Sequence, residues 1–202
     1  MQRKGFKRFG LVVLMVKRAT LIVLLIINVV LLIGFFLFLA YYVFDSEDYT
    51  GAYEERISRG EILNPSLNLT DEEAAVNFDE SFIYYLLVNI KAYNLHDSAS
   101  KDSPKIELVI GNKTFNAVIS GGEIRVSKGV VRGEDIRIVT SVSEAVKMVR
   151  DKNYIEESFN LGLSRIELIA GKPTLFSKGY LKIYTELTGK SITGGVIKAY
   201  FS

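Results

Sequence analysis

The sequence predicts an α+β protein in which an N-terminal transmembrane helix is followed by one domain with a mostly antiparallel five-stranded sheet covered by helices. Three observations predict this fold class. Residues 21–44 contain no charged side chain. Apolar residues then recur every three or four positions over residues 71–93, which is the period of a helix. Between residues 105 and 140 the period changes to two, with glycines between the runs, which is typical of strands joined by turns.

The segment from Leu21 to Phe44 has the length and composition of a membrane span. Nineteen of its 24 residues are Leu, Ile, Val or Phe. As a helix it would extend about 36 Å, enough to cross a hydrocarbon layer of ~30 Å. Aromatic and basic residues fall where the headgroups would lie, at Tyr41 and Tyr42 on one side and at Lys17 and Arg18 on the other. The run is longer than the apolar part of a cleaved signal peptide, so we predict an uncleaved anchor.

The charges on either side of this segment predict its direction. Residues 1–18 carry six Lys or Arg and no acid, whereas the whole chain has a net charge of +2, which leaves −4 for residues 45–202. Because basic flanks stay in the cytoplasm, we expect a single-pass protein of the cell membrane. Its four predicted parts are a basic cytoplasmic leader (1–20), a transmembrane helix (21–44), an acidic stalk (45–69) and an extracytoplasmic α+β domain (70–202).

The domain is predicted to begin with a helix. The stalk before it is acidic and contains Pro65, with a short helical piece around Tyr49–Arg59. Thr70 and Glu73 then have the spacing of a capping box, in which each residue satisfies a backbone N–H of the other. We therefore expect one helix from about residue 71 to residue 93, with a strongly apolar face.

Alternating strands follow this helix. Apolar residues alternate with polar ones in four runs, at residues 106–110, 115–119, 124–127 and 136–140. Turns containing Gly111 and the pair Gly121-Gly122 separate the first three runs. Because short glycine turns join antiparallel neighbours, the sequence predicts an antiparallel meander.

The rest of the domain is predicted to be helical except for one strand. Ser141 and Glu144 form a second capping-box pattern and predict a short helix. A further helical stretch covers Tyr154–Leu161, and residues 165–170 alternate as a fifth strand.

A last helix is predicted to begin at Pro173, since proline is favoured in the first turn, and to end at Gly189. Gly179 lies in the middle of this helix, where glycine costs about 1 kcal/mol relative to alanine. The tail, residues 196–201, alternates as an edge strand would.

The inventory of reactive side chains is thin. The chain has no Cys and one His, which excludes disulfides, thiolate metal sites, cysteine nucleophiles and sites with several histidines. His96 and Asp97 are adjacent in a predicted loop, where a surface pair is the simpler interpretation. We find no catalytic motif and therefore expect neither an enzyme nor a cofactor. The negative charge of residues 45–202, without a basic stripe, argues against nucleic acid.

Two short patterns suit a location outside the cytoplasm. Asn68-Leu-Thr70 and Asn112-Lys-Thr114 are acceptor sequences for N-glycosylation, and both fall in predicted loops. Asn68 and Asn112 are therefore candidate modification sites.

The order of elements resembles the sterol carrier protein type 2 domain. The similarity covers roughly residues 72–188 and is clearest in EDIRIVTSVSEAVKMV and in FNLGLSRIELIAGKPTLFSKGYLKIYTEL. The matching positions are Asp135, Ser141, Gly162, Gly171 and Leu187, while Lys172 and the tail depart from the pattern. The resemblance implies a fold in which an apolar ligand or lipid binds between the sheet and the helices.

Eight apolar residues are the candidates for such a ligand site: Phe82, Leu86, Phe159, Leu161, Leu175, Phe176, Leu181 and Tyr184. They form either a packed core or the lining of a cavity under the last helix, and composition does not separate the two. We expect a membrane-anchored module that binds lipid or another apolar small molecule near the outer leaflet. The alternative is an accessory subunit that docks onto other membrane proteins and has no ligand of its own.

Overall fold

The computed structural model describes residues 21, 23–36, 48–98 and 101–189. The chain divides into two compact units, Met1–Asp45 and Ser46–Ser202. The predicted leader, the flanking residues Lys17 and Arg18, the residues Tyr41, Tyr42 and Phe44, and the predicted tail strand all lie outside the described residues.

The first unit contains an apolar helix. Residues 23–36 are helical, and their large apolar side chains are exposed, from 49% at Ile27 to 65% at Leu25 and Leu31. The one amide in this helix, Asn28, donates to the carbonyl of Leu24 at 3.0 Å. Within the described parts of the chain, no helix combines the length and the apolar character that crossing a membrane requires. The span predicted over residues 21–44 extends beyond the described residues and stays a prediction.

The segment expected to be a stalk contributes to the core of the second unit. Its helical piece is confirmed as α1, Thr50–Ser58. Tyr53 is 4% exposed, stacks on Tyr93 with ring centroids 4.2 Å apart, and donates to the carbonyl of Gly122 at 2.9 Å. The ring of Tyr49 lies over the same glycine, where a Cβ atom would meet it at 2.6 Å. The packed domain therefore includes residues well before the predicted boundary at residue 70.

The long helix predicted over residues 71–93 is instead three shorter elements. They are α2 (Asp71–Val76), α3 (Glu80–Asn89) and a 3₁₀ turn (Ala92–Asn94). The capping box is confirmed, because the side chains of Thr70 and Glu73 each accept from the other's backbone N–H. The single-helix prediction is wrong because Asp79 starts a new helix, its carboxylate accepting from the N–H of Ser81 at 2.9 Å.

Five strands form one sheet in the order β3-β2-β1-β4-β5. The strands are β1 (Lys105–Ile110), β2 (Lys113–Ser120), β3 (Glu123–Lys128), β4 (Ile136–Thr140) and β5 (Arg165–Leu168). The hairpins β1–β2 and β2–β3 are antiparallel as predicted, and β5 runs antiparallel to β4.

The prediction of a mostly antiparallel sheet is wrong in one pairing that makes the sheet mixed. Strand β4 does not pair with β3 but lies parallel to β1, with Ile106 opposite Ile136. Turn chemistry indicates only which strands form hairpins. The seven residues 129–135 are long enough to carry the chain from one side of the hairpins to the free side of β1, so β4 can join there.

Four helices follow β4 along the chain, two before β5 and two after it. They are α4 (Val142–Arg150), α5 (Tyr154–Asn160), α6 (Lys172–Ser177) and α7 (Tyr180–Thr188). The last two were predicted as one helix. That prediction is wrong because Gly179 has a φ of +83°, and a Cβ atom there would lie 3.1 Å from Cε1 of His96. The chain therefore turns at Gly179 rather than continuing as a helix.

The core lies between the inner face of the sheet and the helices, including α1 and α3. On β1, β2 and β4 the residues of the inner face are fully buried, with Ile106, Leu108, Phe115 and Ile138 at 2% exposure or less. The inner face of the sheet becomes more open at its two edges, at Val126 on β3 and at Ile166 and Leu168 on β5.

Candidate apolar binding site

Strand β5 is at the edge of the sheet, and its inner face is incompletely covered. Ile166 lies opposite Ile138, and Leu168 lies opposite Ile136. The two β4 residues are buried, whereas Ile166 and Leu168 are only partly buried, although they pack against the same core. The helices therefore leave apolar surface accessible on the inner face of this strand.

Large apolar side chains are exposed on the segments that precede and follow β5 along the chain. Leu161 is 63% exposed and Leu163 is 49% exposed on the approach to the strand. Ile169, which follows it, is 48% exposed, and Phe176 on α6 is 52% exposed. We call these four residues, together with Ile166 and Leu168, the β5 apolar patch. Contiguous exposed apolar surface is typical of binding sites. The closeness of these residues in the chain makes the segments around β5 the candidate for such a surface.

A buried ionic cluster lies at one end of the β4–β5 pair. Lys178, between α6 and α7, is fully buried, and its Nζ atom donates to both carboxylate oxygens of Asp135 at 3.0 Å. It also donates to Asp102 at 2.7 Å and to the carbonyl of Ser103 at 3.2 Å. Tyr180 donates to Asp135 at 2.9 Å. We call Asp102, Asp135, Lys178 and Tyr180 the Asp135 network.

This network connects four segments of the chain. The carboxylate of Asp135 accepts from the N–H of Lys105 at the start of β1, and its carbonyl accepts from the N–H groups of Ile169 and Ala170 after β5. Burial, followed by the charge of Asp135, raises the pKa of Tyr180, which therefore stays a hydrogen-bond donor. Hydrogen bonding from Lys178 lowers the pKa of Asp102. The start of α7 is thus fixed to this end of the strand pair.

A chain of hydroxyl groups lies at the other end of the same strand pair. The hydroxyls of Thr140 and Ser164 share a hydrogen bond of 2.6 Å, and those of Ser164 and Ser158 share one of 2.8 Å. Ser158 then donates to the carboxylate of Glu144 at 3.1 Å. All four side chains are buried. We call Thr140, Ser164, Ser158 and Glu144 the hydroxyl chain.

The carboxylate at the end of this chain is held in its ionised form. Burial alone would raise the pKa of Glu144, but hydrogen bonds from Lys147, Tyr154 and Ser158 lower it below its usual value. Lys147 Nζ lies 2.9 Å from this carboxylate, and the Tyr154 hydroxyl lies 2.7 Å from it. The hydroxyl chain joins α4 and α5 to the ends of β4 and β5.

The two networks hold the helices at opposite ends of β5. Ser164 directly precedes the strand, and Ile169 directly follows it. Helix α5 is bonded at the first end through Ser158, and the α6–α7 junction is bonded at the second through Lys178. The apolar patch lies along the chain between these two fixed points.

The structure separates the eight predicted ligand residues into two groups. The first is buried in the core, with exposures of 3% or less, and consists of Phe82, Leu86, Leu175 and Tyr184. The second is partly buried or exposed and consists of Phe159, Leu161, Phe176 and Leu181. Leu161 and Phe176 belong to the β5 apolar patch, and no ligand contact of any of the eight is established.

Other predicted sites lie on the surface. Asn68 and Asn112 are exposed in turns, as a glycan acceptor must be. The hydroxyl of Thr70, the third residue of the Asn68 acceptor pattern, accepts a hydrogen bond from the N–H of Glu73. In the part of the chain that the structure describes, no group of three or more His, Asp or Glu side chains is arranged to hold a metal ion.

The two polar networks were missed by reasoning from the sequence. Asp135 appeared only as a match to a family pattern, and Lys178 was not singled out. One signal was present. Lys178 precedes a glycine within an otherwise apolar helical pattern, and a helix that ends at such a glycine changes the direction of the side chain before it. Ser158 and Ser164 carry no comparable signal.

Comparison with known proteins finds similarity only among solved structures. No family's sequence profile matches the chain, and no curated protein matches it. A UbiJ-SCP2 ubiquinone synthesis protein is 10% identical, with a TM-score of 0.31, over 58% of this chain and 94% of that protein.

Two sterol carrier proteins are similar at the same level. Sterol Carrier Protein 2 Like 2 from Aedes aegypti is 12% identical, with a TM-score of 0.29, over 48% of this chain and 92% of that one. Sterol Carrier Protein 2 from Yarrowia lipolytica, in its apo form, is 16% identical, with a TM-score of 0.28, over 58% of this chain and 86% of that one. These are similarities to such domains and do not assign the chain to a family.

Proposed function

We propose that this chain is a membrane-tethered, non-catalytic module that binds an apolar ligand, such as the acyl chain of a lipid, at the β5 apolar patch. The incomplete cover over β5 carries this proposal, because Ile166 and Leu168 continue the core face of the sheet and yet stay partly accessible. The sequence resemblance of residues 72–188 to a domain that binds apolar molecules between sheet and helices supports the same site.

An apolar ligand has a clear source of binding free energy at this patch. Removing hydrocarbon from water gains about 0.8 kcal/mol per methylene group. The exposed side chains of Leu161, Leu163 and Phe176 would lose water contact in the same event. A chain of several methylenes therefore binds without any polar contact, provided that the protein does not have to unfold to admit it.

The two polar networks allow a ligand to enter without unfolding of the domain. A ligand lying along β5 would displace side chains only between the hydroxyl chain and the Asp135 network, which fix α5 and the α6–α7 junction to the strand pair. Preorganised surroundings lower the cost of binding, since fewer groups must be ordered when the ligand arrives.

The tether is the second part of the proposal. The uncharged residues 21–44, the six basic residues before them and the acidic residues that follow support a single span with the N-terminus in the cytoplasm and the domain outside. A domain attached in this way would take its ligand from the outer leaflet. Protease added to sealed cells should digest the domain and leave the leader, and a domain that survives intact would contradict this orientation.

Ligand binding is tested by competition and by substitution. The full chain, purified in maltoside micelles, should bind a fluorescent fatty acid, and added lipid should displace this probe. Lipid should also co-purify with the chain from the membrane. Phe176→Asp should weaken this binding by about tenfold or more, because burying a carboxylate opposes apolar contact. The matched control is Val130→Asp, since Val130 is 75% exposed and lies away from β5 in the chain.

Neither variant should change the unfolding midpoint, because both side chains are largely exposed. Equal affinities for Phe176→Asp and Val130→Asp would show that the patch does not hold the ligand. Absence of bound lipid and of probe binding in the unmodified chain would overturn the proposal as a whole.

A further inference from the structure

A groove of about 310 Å³ runs along one face of α7. Three segments enclose it: the residues before and at the start of α1, the turn after α3, and α7 itself. Ile90, Leu95 and Ile183 contribute an apolar floor and are each 1% exposed. None of the eight residues predicted to bind an apolar ligand contributes to this groove, which is therefore separate from the β5 apolar patch in its composition.

Four charged side chains line the groove, two of each sign. Lys91 and Glu186 form an ion pair with 2.8 Å between Nζ and Oε1. Asp48 accepts from the N–H of Thr50 at 2.9 Å, which orients its carboxylate. Lys182 forms no ion pair with another of the described residues. The lining is thus neutral in sum, with one cation and one anion already paired, and with Lys182 and Asp48 as the charged groups that no ion pair joins to a described residue.

The backbone at Lys91 is unfavourable for the residue that occupies it. Lys91 follows the end of α3 in the left-handed region, with a φ of +56°. Glycine is the usual residue at such a helix end, because a Cβ atom is strained there. Strained backbone at a non-glycine residue is commonly found where the side chain has a function. Here the side chain of Lys91 lies at the groove and pairs with Glu186.

The groove wall opposite α7 is held in place by hydrogen bonds. The side-chain oxygen of Asn94 accepts from the N–H of Tyr49 at 3.1 Å, and its nitrogen donates to Thr50 Oγ1 at 3.2 Å. These bonds attach the segment carrying Asp48 to the turn carrying Lys91. The segments that carry Asp48 and Lys91 are therefore positioned relative to each other before any ligand binds.

We propose that this groove binds a zwitterion in which a phosphate ester and a primary ammonium group are joined by a short linker. Lys182 and Lys91, which both line the groove, would donate to the phosphate, and Asp48 and Glu186 would accept from the ammonium group. This is the chemistry shared by the headgroup of an ethanolamine phospholipid and by free glycerophosphoethanolamine. A simple anion would satisfy the lysines but would face two carboxylates, and a simple cation would face two lysines.

The test compares the zwitterion with its two halves. The full chain in maltoside micelles is titrated with glycerophosphoethanolamine, glycerophosphate and ethanolamine, and binding is followed by calorimetry. The zwitterion should bind at least about tenfold more tightly than either half, because only it pairs with both sets of charges. Glycerophosphate binding as tightly as the zwitterion, or no binding of any probe to micelles or lipid discs, overturns the proposal.

The two sources of the zwitterion are then distinguished. Binding of the soluble probe in micelles points to the free compound. Binding only to phosphatidylethanolamine placed in phosphatidylglycerol lipid discs, with no soluble binding, points to the lipid headgroup. Either result supports the shared chemistry.

Substitutions separate binding from folding. Lys182→Glu should weaken zwitterion binding by about tenfold or more, whereas the control Lys152→Glu makes the same charge change on an exposed turn outside the groove and should leave it unchanged. Lys91→Gly should weaken binding while the unfolding midpoint stays equal or rises, because the strain is relieved. Unchanged affinity in both Lys182→Glu and Lys91→Gly would overturn the proposal. Acyl-chain binding at the β5 apolar patch is measured separately, so failure of one site does not imply failure of the other.

Discussion

The two buried polar networks at the ends of the β4–β5 pair do the same structural task with different chemistry. The Asp135 network is ionic, and its lysine is fully enclosed. The hydroxyl chain consists of neutral groups until it reaches Glu144, whose cationic partner Lys147 has a side chain that is 51% exposed. In the first network the pair of Lys178 and Asp135 is enclosed and only Asp102, 48% exposed, reaches water, whereas in the second the cation itself is exposed.

This difference determines how each network responds to a lost partner. A buried charge that loses its counter-ion keeps its full desolvation cost. A buried hydroxyl that loses one partner forfeits a single hydrogen bond and often has another acceptor or donor nearby. The Asp135 network should therefore be intolerant of single changes, and the hydroxyl chain should lose stability in small steps.

The largest expected effect is that of Lys178→Met. This change removes the cation that donates to both oxygens of Asp135 and leaves the carboxylate buried without it. We expect the free energy of unfolding to fall by about 3–5 kcal/mol, as is typical when one member of a buried ion pair is removed. Urea unfolding of the full chain in micelles, followed by circular dichroism, measures this loss.

The double variant Lys178→Met with Asp135→Leu provides the control. It removes both buried charges together and should recover a large part of the lost stability. A Lys178→Met variant that loses less than about 1 kcal/mol would mean that Asp135 is not desolvated as its burial implies.

A smaller effect is expected for Ser158→Ala in the hydroxyl chain. The change removes hydrogen bonds to Glu144 and Ser164, but Ser164 keeps Thr140, and Glu144 keeps Lys147 and Tyr154. We expect a loss of about 1–2 kcal/mol in the same urea experiment. Ser58→Ala is the matched control, because Ser58 is exposed and bonds only within its own helix, and it should cost less than about 0.5 kcal/mol. A loss for Ser158→Ala as large as that for Lys178→Met would remove the distinction between the two networks.

The distance along the chain between contacting residues explains which features the sequence could predict. Local signals were sufficient for α1, for the capping box at Thr70 and for the hairpins, because each depends on residues close together in the chain. The parallel pairing of β4 with β1 depends on the path of residues 129–135 across the sheet and has no local signal. The glycine at position 179 is a local signal for the helix break, but its contact with His96, which is distant in sequence, is not.

The candidate site was predicted only in part, because some of its features are local in the chain and others depend on distant residues. Leu161 and Phe176 were recognised as apolar residues near the last strand and helices, which is a local property. The networks that fix the ends of β5 join residues as far apart as Asp102 and Lys178, and sequence spacing does not reveal such pairs. Polar residues that become buried through distant partners look like surface residues until the fold is known.

The smallest expected effect is the acid dependence contributed by Glu144. Its pKa is lowered in the folded domain, because hydrogen bonds from Lys147, Tyr154 and Ser158 outweigh the effect of burial, which acts in the opposite direction. A carboxyl group with a lowered pKa contributes stability that is present above its unfolded value, about 4.5, and that is lost as the pH falls through its folded value. Glu144→Gln should therefore flatten the fall in the free energy of unfolding below about pH 4.5, with a cost of about 1 kcal/mol or less near pH 7. The comparison is made by urea unfolding from pH 7 to pH 3, and a variant whose acid dependence parallels that of the unmodified chain would show that Glu144 is not the titrating group of this network.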